Sequence, residues 1–254
     1  MARAGYATRG FLYFIVGGLA ALAAFGRGGD TTDSQGAITE LYSQPFGQAL
    51  VLLAAFGLFG YATFSAYQAV LDPEGNRQHW PVAMRLKWAA IALLHGGLGV
   101  YALRLGIGAP GSGGVNARSG TAELLAWSPP FGQGVVVLAG AGLLALALHQ
   151  LWCSWRSKLD EQLNLAALQP QTRRWVVRFS RAGIAARAVV SLVTGAFLLV
   201  AALTSDAQQA KGFGESLAVM RETPLGAPLL GAVALGLVAF AFYQMVEAKY
   251  RRIE

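Results

Sequence analysis

A chain of 254 residues that is 55% hydrophobic and only 13% charged has about half the ~25% charged content usual for soluble domains, which excludes an ordinary water-soluble globule. Its formal net charge of +7 invites a nucleic-acid reading, but the basic residues are segregated by loop as in a membrane topology, so no nucleic-acid partner is expected. The single cysteine, Cys153, rules out an intrachain disulfide.

In chain order, the runs free of Asp, Glu, Lys and Arg are 10–26, 41–71, 88–103, 124–155, 188–205 and 223–246. They are 17, 31, 16, 32, 18 and 24 residues long and rich in Leu, Ala, Val, Phe and Gly. A helix rises ~1.5 Å per residue and the hydrocarbon core is ~30 Å thick, so ~20 residues cross it. Every run reaches or approaches that length, and none alternates as a barrel strand would. Backbone groups in lipid must bond within their own segment, so six transmembrane helices are predicted. The first run, led by Arg3 and Arg9, has the outline of a signal peptide. The same pattern recurs at Arg181–Ser205, far downstream, so the first run is expected to be retained as a span.

The spans repeat in pairs. Arg3-Ala4-Gly5 returns as Arg181-Ala182-Gly183, and the offset of 178 also carries Arg9 onto Arg187 and Gly17 onto Gly195. Pro45-Phe46-Gly47-Gln48 precedes the second span, Pro130-Phe131-Gly132-Gln133 the fourth, and the looser Pro224-Leu225-Gly226 the sixth. Proline suits a first helical turn, where its missing N–H costs nothing, and Thr223 is placed to act as an N-cap. The middle copy is the most divergent. Its Lys87 falls near Arg9, and Gly96-Gly97-Leu98 matches Gly17-Gly18-Leu19 only after a one-residue slip. One membrane domain, 1–254, is therefore expected, with repeats at 1–80, 81–170 and 171–254 about a pseudo-threefold axis.

Alternate loops hold 15 and 5 of the Lys and Arg residues, and the richer set includes both termini, so both termini are expected on the cytoplasmic side. Trp80, Trp88, Trp152 and Trp155 on that side, with Trp127 and Tyr42 on the other, are placed as interfacial belts. Each outward connection carries a short segment before its Pro anchor: Gly36–Ser43, Gly120–Ser128 and Glu215–Thr223. In the first two, Ile38, Leu41 and Tyr42, or Leu124, Leu125 and Trp127, recur at roughly helical spacing. They read as amphipathic caps on the outer surface. A re-entrant pore helix is the sharper alternative, permitted only where protein or water covers the backbone.

Three two-helix units, each opening on a basic residue and glycines and closing on a Pro-Phe-Gly-led helix, resemble the bacterial membrane family called domain of unknown function 1206. The resemblance covers nearly the whole chain, and only Leu225 and Ala227 depart from the anchor. It implies a multi-pass protein of the bacterial cytoplasmic (inner) membrane with three tandem repeats. It brings no activity, catalytic residue or ligand.

Polar residues within the spans are where chemistry would sit, because an ionisable group there is costly. Arg9, Lys87 and Arg187 bound the odd spans at their cytoplasmic ends. Twenty residues beyond each anchor proline lie Ser65, Gln150 and Gln244, and twenty-three beyond lie Gln68, Cys153 and Glu247, one turn further on the same face. If the repeats surround an axis, Arg9, Lys87, Arg187, Gln68, Gln150, Gln244 and Glu247 converge on a cytoplasm-facing vestibule for an anionic or polar solute. If they pair between neighbouring helices, they are structural links worth about 1–2 kcal/mol or less. The structural reading is preferred. His95 and His149, both in the middle repeat, are the only candidates for a haem or metal site, and no carboxylate or thiol set accompanies them. No cofactor is therefore expected.

No Gly-rich phosphate loop, zinc-protease motif or nucleophile elbow occurs, so no enzyme activity is expected. Asp30, Asp33 and Glu40 read as a solvated loop rather than a cation site. The many span glycines read as close-packing positions. The reading at this stage is an accessory, scaffold or lipid-binding membrane protein, with membrane lipids, partner membrane proteins or a second copy as companions. A small channel or transporter is the first alternative.

Overall fold

The computed structural model describes residues 2–71, 81–109, 117–127, 129–156 and 169–250. His79 and Trp80 lie outside them. Among the described residues nine α-helices follow in order: α1 (Ala2–Ala24), α2 (Ser34–Tyr42), α3 (Gly47–Leu71), α4 (Pro81–Gly106), α5 (Ala117–Trp127), α6 (Pro129–Arg156), α7 (Pro170–Thr204), α8 (Phe213–Arg221) and α9 (Gly226–Tyr250). Among the described residues there is no strand, and α1, α3, α4, α6, α7 and α9 are long and apolar enough to cross a membrane. The chain is a six-span helical protein built of three repeats.

Packing between repeats follows one rule. The second span of each repeat lies against the first span of the next, α3 on α4, α6 on α7 and α9 on α1. The anchor glutamine explains two of these joints. Gln48 Nε2 donates to the Gly106 carbonyl at 2.8 Å, and Gln133 Nε2 donates to the Ala202 carbonyl at 2.8 Å. Each bonds a carbonyl in the last turn of the neighbouring span, where helical donors run out; that of Ala202 also accepts from the Ser205 N–H at 3.2 Å. At the third joint Ala227 takes the glutamine's place.

Packing within repeats is where symmetry fails. Gly5 lets α1 reach the backbone of Tyr61 on α3, and Gly183 does the same for α7 at Phe240 on α9. A Cβ at either position would overlap those atoms. With Lys87 aligned on Arg9, position 83 of the middle repeat is alanine rather than glycine. There, among the described residues, α4 and α6 do not pack along their length. The six spans thus form a ring, α4–α3–α1–α9–α7–α6, left open between the two helices of the middle repeat. In the most apolar stretch of each span, 17% of α4 and 22% of α6 is buried against 56% of α9, so the middle repeat is peripheral.

The short helices close one end of the ring, opposite the termini. Ile38 of α2 and Leu217 of α8 are fully buried in the same core as Leu12, Val16, Leu58 and Leu230. Asp33 caps α2, its Oδ1 accepting from the N–H groups of Gln35 and Gly36 at 3.0 Å. This cap role uses the carboxylate locally. α5 and α8 are tied by an Arg118–Glu215 ion pair of 3.0 Å.

Three local expectations are corrected. Pro45 and Pro224 precede their helices by two residues, in turns closed by Gly47 N to Gln44 O and Gly226 N to Thr223 O at 2.8 Å. Proline at the second position of such a turn has its φ preset. Thr223 is not the N-cap of α9, which starts at Gly226; its hydroxyl donates back to the Met220 carbonyl at 2.8 Å. Trp88 is buried, its ring edge-on to Phe64 at 6.3 Å, whereas Trp127, Trp152 and Trp155 are exposed as belt residues should be.

Candidate functional site

Counting from charge to charge places Arg9, Lys87 and Arg187 at span ends, but the helices continue past them. α1 begins seven residues before Arg9, α4 six before Lys87 and α7 seventeen before Arg187. The depth is set by what each arginine touches. Tyr61 is the fifteenth of 25 residues in α3, Phe240 the fifteenth of 25 in α9, and His95 the fifteenth of 26 in α4. The two guanidiniums therefore sit near the middle of the bundle's length. An arginine at a helix centre costs roughly 2.5–3.5 kcal/mol on insertion scales, so their surroundings must answer for them.

Neighbouring helices supply hydroxyl, amide and aromatic groups. Arg9 Nη1 donates to the Tyr61 hydroxyl at 2.5 Å, and the guanidinium lies 4.7 Å from that ring's centre. Arg187 Nε donates to the Tyr13 hydroxyl at 2.9 Å and Nη1 to Gln150 Oε1 at 2.8 Å, with the guanidinium 5.2 Å from the Phe240 ring centre. Tyr13 is in reach of both guanidiniums, and so is His95. His95 packs edge-on to Tyr61 at 4.7 Å, and its Nδ1 lies 2.8 Å from the Ile91 carbonyl. A carbonyl only accepts, so Nδ1 carries the proton and Nε2 is left as an acceptor. Among the described residues neither guanidinium has a carboxylate within 4.0 Å, and Arg9 Nε is buried without a hydrogen-bond partner.

A cavity of ≈ 850 Å³ starts at this cluster. Arg9, Tyr13, His95 and Arg187 form its base, Leu58, Leu93, Leu94 and Leu98 its walls, and Asp33, Gln35 and Arg104 its far end at the α2 side. Leu93 to Leu105 span ~18 Å along α4 at 1.5 Å per residue. Leu93 and Leu94 are also 78% and 66% exposed, so the wall on α4 opens sideways to the surface that lipid would cover. The vestibule expected at the end bearing the termini is not this cavity, which runs the other way, because α1 and α7 extend beyond the arginines and pack on α3 and α9 there.

Of the residues singled out in the sequence, Arg9, Arg187 and His95 line the cavity, and Gln150 holds Arg187 from α6. Lys87 is not brought to them; its Nζ lies 5.1 Å from the ring centre of its neighbour Trp88. Gln68, Gln244 and Glu247 are buried within the bundle, with Gln244 Nε2 unpartnered and Glu247 in electrostatic reach of Arg9. His149 is exposed beside Cys153, 3.6 Å away. Among the described residues no three His, Cys, Asp or Glu side chains come together as a metal site would need.

The aromatic cradle escaped the sequence reading, although a signal existed. Tyr61 and Phe240 each lie sixteen residues after an anchor proline, while the middle repeat has Leu146 there. Arginine and aromatic partner thus occur together in the first and third repeats only.

The family model described as Domain of Unknown Function (DUF1206) matches residues 4–72, 86–157 and 182–251, the three repeats in turn. A Bacillus subtilis protein, uncharacterized protein YxxB, is 30% identical over 252 residues, covering 99% of this chain and 90% of that one. No solved structure matches the chain.

Proposed function

The chain belongs to the DUF1206 family, and from that premise we propose that it is a non-catalytic lipid-binding protein of a bacterial cytoplasmic membrane, with both termini on the cytoplasmic side. The observation that carries this reading is the cavity of ≈ 850 Å³, walled by leucines, open sideways along α4 and ending on two arginines. A leucine wall facing lipid admits a hydrocarbon chain, and polar groups confined to the ends fix its orientation. The Lys and Arg asymmetry between alternate loops, 15 against 5, supports the orientation. Among the described residues the cluster consists of guanidinium, phenol, imidazole and amide groups that suit holding a polar head, which favours a binding role.

The test is mass spectrometry of the full chain released from neutral detergent micelles. About one lipid molecule per chain should be retained, and Leu98→Trp, which fills the cavity from α4, should release it without unfolding the protein. A lipid-free wild-type protein, or equal retention by Leu98→Trp, contradicts the proposal. A second reading, a carrier for a small anion, draws support from the cavity's reach to Gln35 and Arg104 at the α2 end. Anion flux into proteoliposomes above that of empty vesicles, abolished by Arg9→Gln, would favour it.

A further inference from the structure

We propose that the base of the cavity is an anion site for the phosphate group of an amphiphile, an assignment that rests on the lipid-binding reading above. Two guanidiniums at mid-bundle depth have no carboxylate within 4.0 Å among the described residues. Each carries five N–H donors. Arg9 uses one of them on Tyr61 and lies within hydrogen-bonding reach of Tyr13 as well, and Arg187 uses two, on Tyr13 and Gln150. Arg9 Nε–H is buried with no acceptor at all. Such donors call for an acceptor that the described residues do not provide.

The geometry selects the acceptor's chemistry. A carboxylate's two oxygens are matched by a single guanidinium fork, whereas a phosphate offers three oxygens and up to two charges, enough for two forks. Tyr13, which lines the cavity, accepts from Arg187 through its oxygen, so its hydroxyl proton remains available to donate to the ligand. His95, its proton held at the Ile91 carbonyl, offers Nε2 as an acceptor for the P–OH of a singly ionised phosphate. From this base the exposed side of α4, Leu93 and Leu94, leads directly to the lipid-facing surface, which gives a hydrocarbon tail its exit. The ligand class is therefore an anionic lipid with a terminal phosphate monoester rather than a zwitterionic phosphodiester or a neutral lipid.

The experiment presents purified full-length protein in maltoside micelles with dimyristoyl phosphatidic acid, dimyristoyl phosphatidylcholine, dimyristoylglycerol and inorganic phosphate, reading occupancy by mass spectrometry and thermal stabilisation in parallel. Phosphatidic acid should bind on the order of 30-fold more tightly than the phosphatidylcholine or diacylglycerol, the loss expected when a buried charged partner is removed. Arg9→Gln should abolish that preference, and Arg9→Lys, which keeps the charge without the fork, should restore only part of it. Equal binding of phosphatidic acid and diacylglycerol overturns the anion assignment and leaves the lipid-binding reading intact. Failure of all three lipids overturns both. Stabilisation by inorganic phosphate as strong as by phosphatidic acid assigns the site to a free anion and overturns the amphiphile. Should an arginine variant fail to fold, the wild-type order of the four ligands still decides.

Discussion

Arg187 donates to Tyr13 of the first repeat and Gln150 of the second while lying over Phe240 of the third. One side chain thereby ties all three repeats at the depth where lipid offers no competing hydrogen bonds. Removing it leaves the Gln150 acceptor and the Tyr13 hydroxyl without their charged donor, and each bond of that kind contributes about 1.5–3 kcal/mol. Arg187→Ala should accordingly lower stability by about 2–3 kcal/mol in detergent, read as a lower midpoint of thermal unfolding. Arg187→Lys should recover roughly half, because a point charge cannot reach Tyr13 and Gln150 with a fixed fork. A midpoint unmoved by Arg187→Ala would show that the bridge carries no weight. The same bridge explains why the site was only half readable from sequence. Arg9, Arg187, Gln150 and His95 stand out as polar residues in apolar runs, but their depth depends on Tyr13, Tyr61 and Phe240, which belong to other helices and look like ordinary span aromatics.

At the scale of the helix, glycine decides which spans meet. A Cβ on Gly183 would fall against the backbone nitrogen and Cα of Phe240, whereas Gly18 and Gly97 have nothing within 4 Å. Gly183→Ala must push α7 from α9 and should destabilise by about 1–3 kcal/mol, the usual cost of overpacking. Gly18→Ala and Gly97→Ala should be neutral or slightly stabilising, since alanine is the better helix former by ~1 kcal/mol. Thermal unfolding of the three variants side by side checks this, and a uniform effect would refute the packing argument. The repeat anchors were visible in the sequence for the same reason. Gly5, Gly183 and the Pro-x-Gly turns serve local contacts that tolerate no other residue, so they persist at fixed offsets. Helix limits were less visible, because a charge ends an apolar run but not a helix: α7 continues through Arg173, Arg174, Arg178, Arg181 and Arg187.

Across the whole molecule, three near-equivalent repeats produce an asymmetric object. The joints between repeats are alike, and two of them are stapled by Gln48 and Gln133. Within repeats, α1 packs on α3 and α7 on α9, while α4 stands apart from α6. The divergence of the middle copy, Ala83 for glycine, Lys87 for arginine and Leu146 for an aromatic residue, could be read in the sequence. Its consequence could not, since an opening in a ring is a property of the helices on both sides of it. That opening turns a packed bundle into one with a cavity accessible from lipid. Density for the full chain in lipid nanodiscs containing phosphatidic acid is the most direct test. An elongated feature beside Leu94 and Leu98, ending between Arg9 and Arg187, with α4 and α6 separated, is the expected result. A closed ring in which α4 packs along α6 and no density reaches the arginines would contradict it.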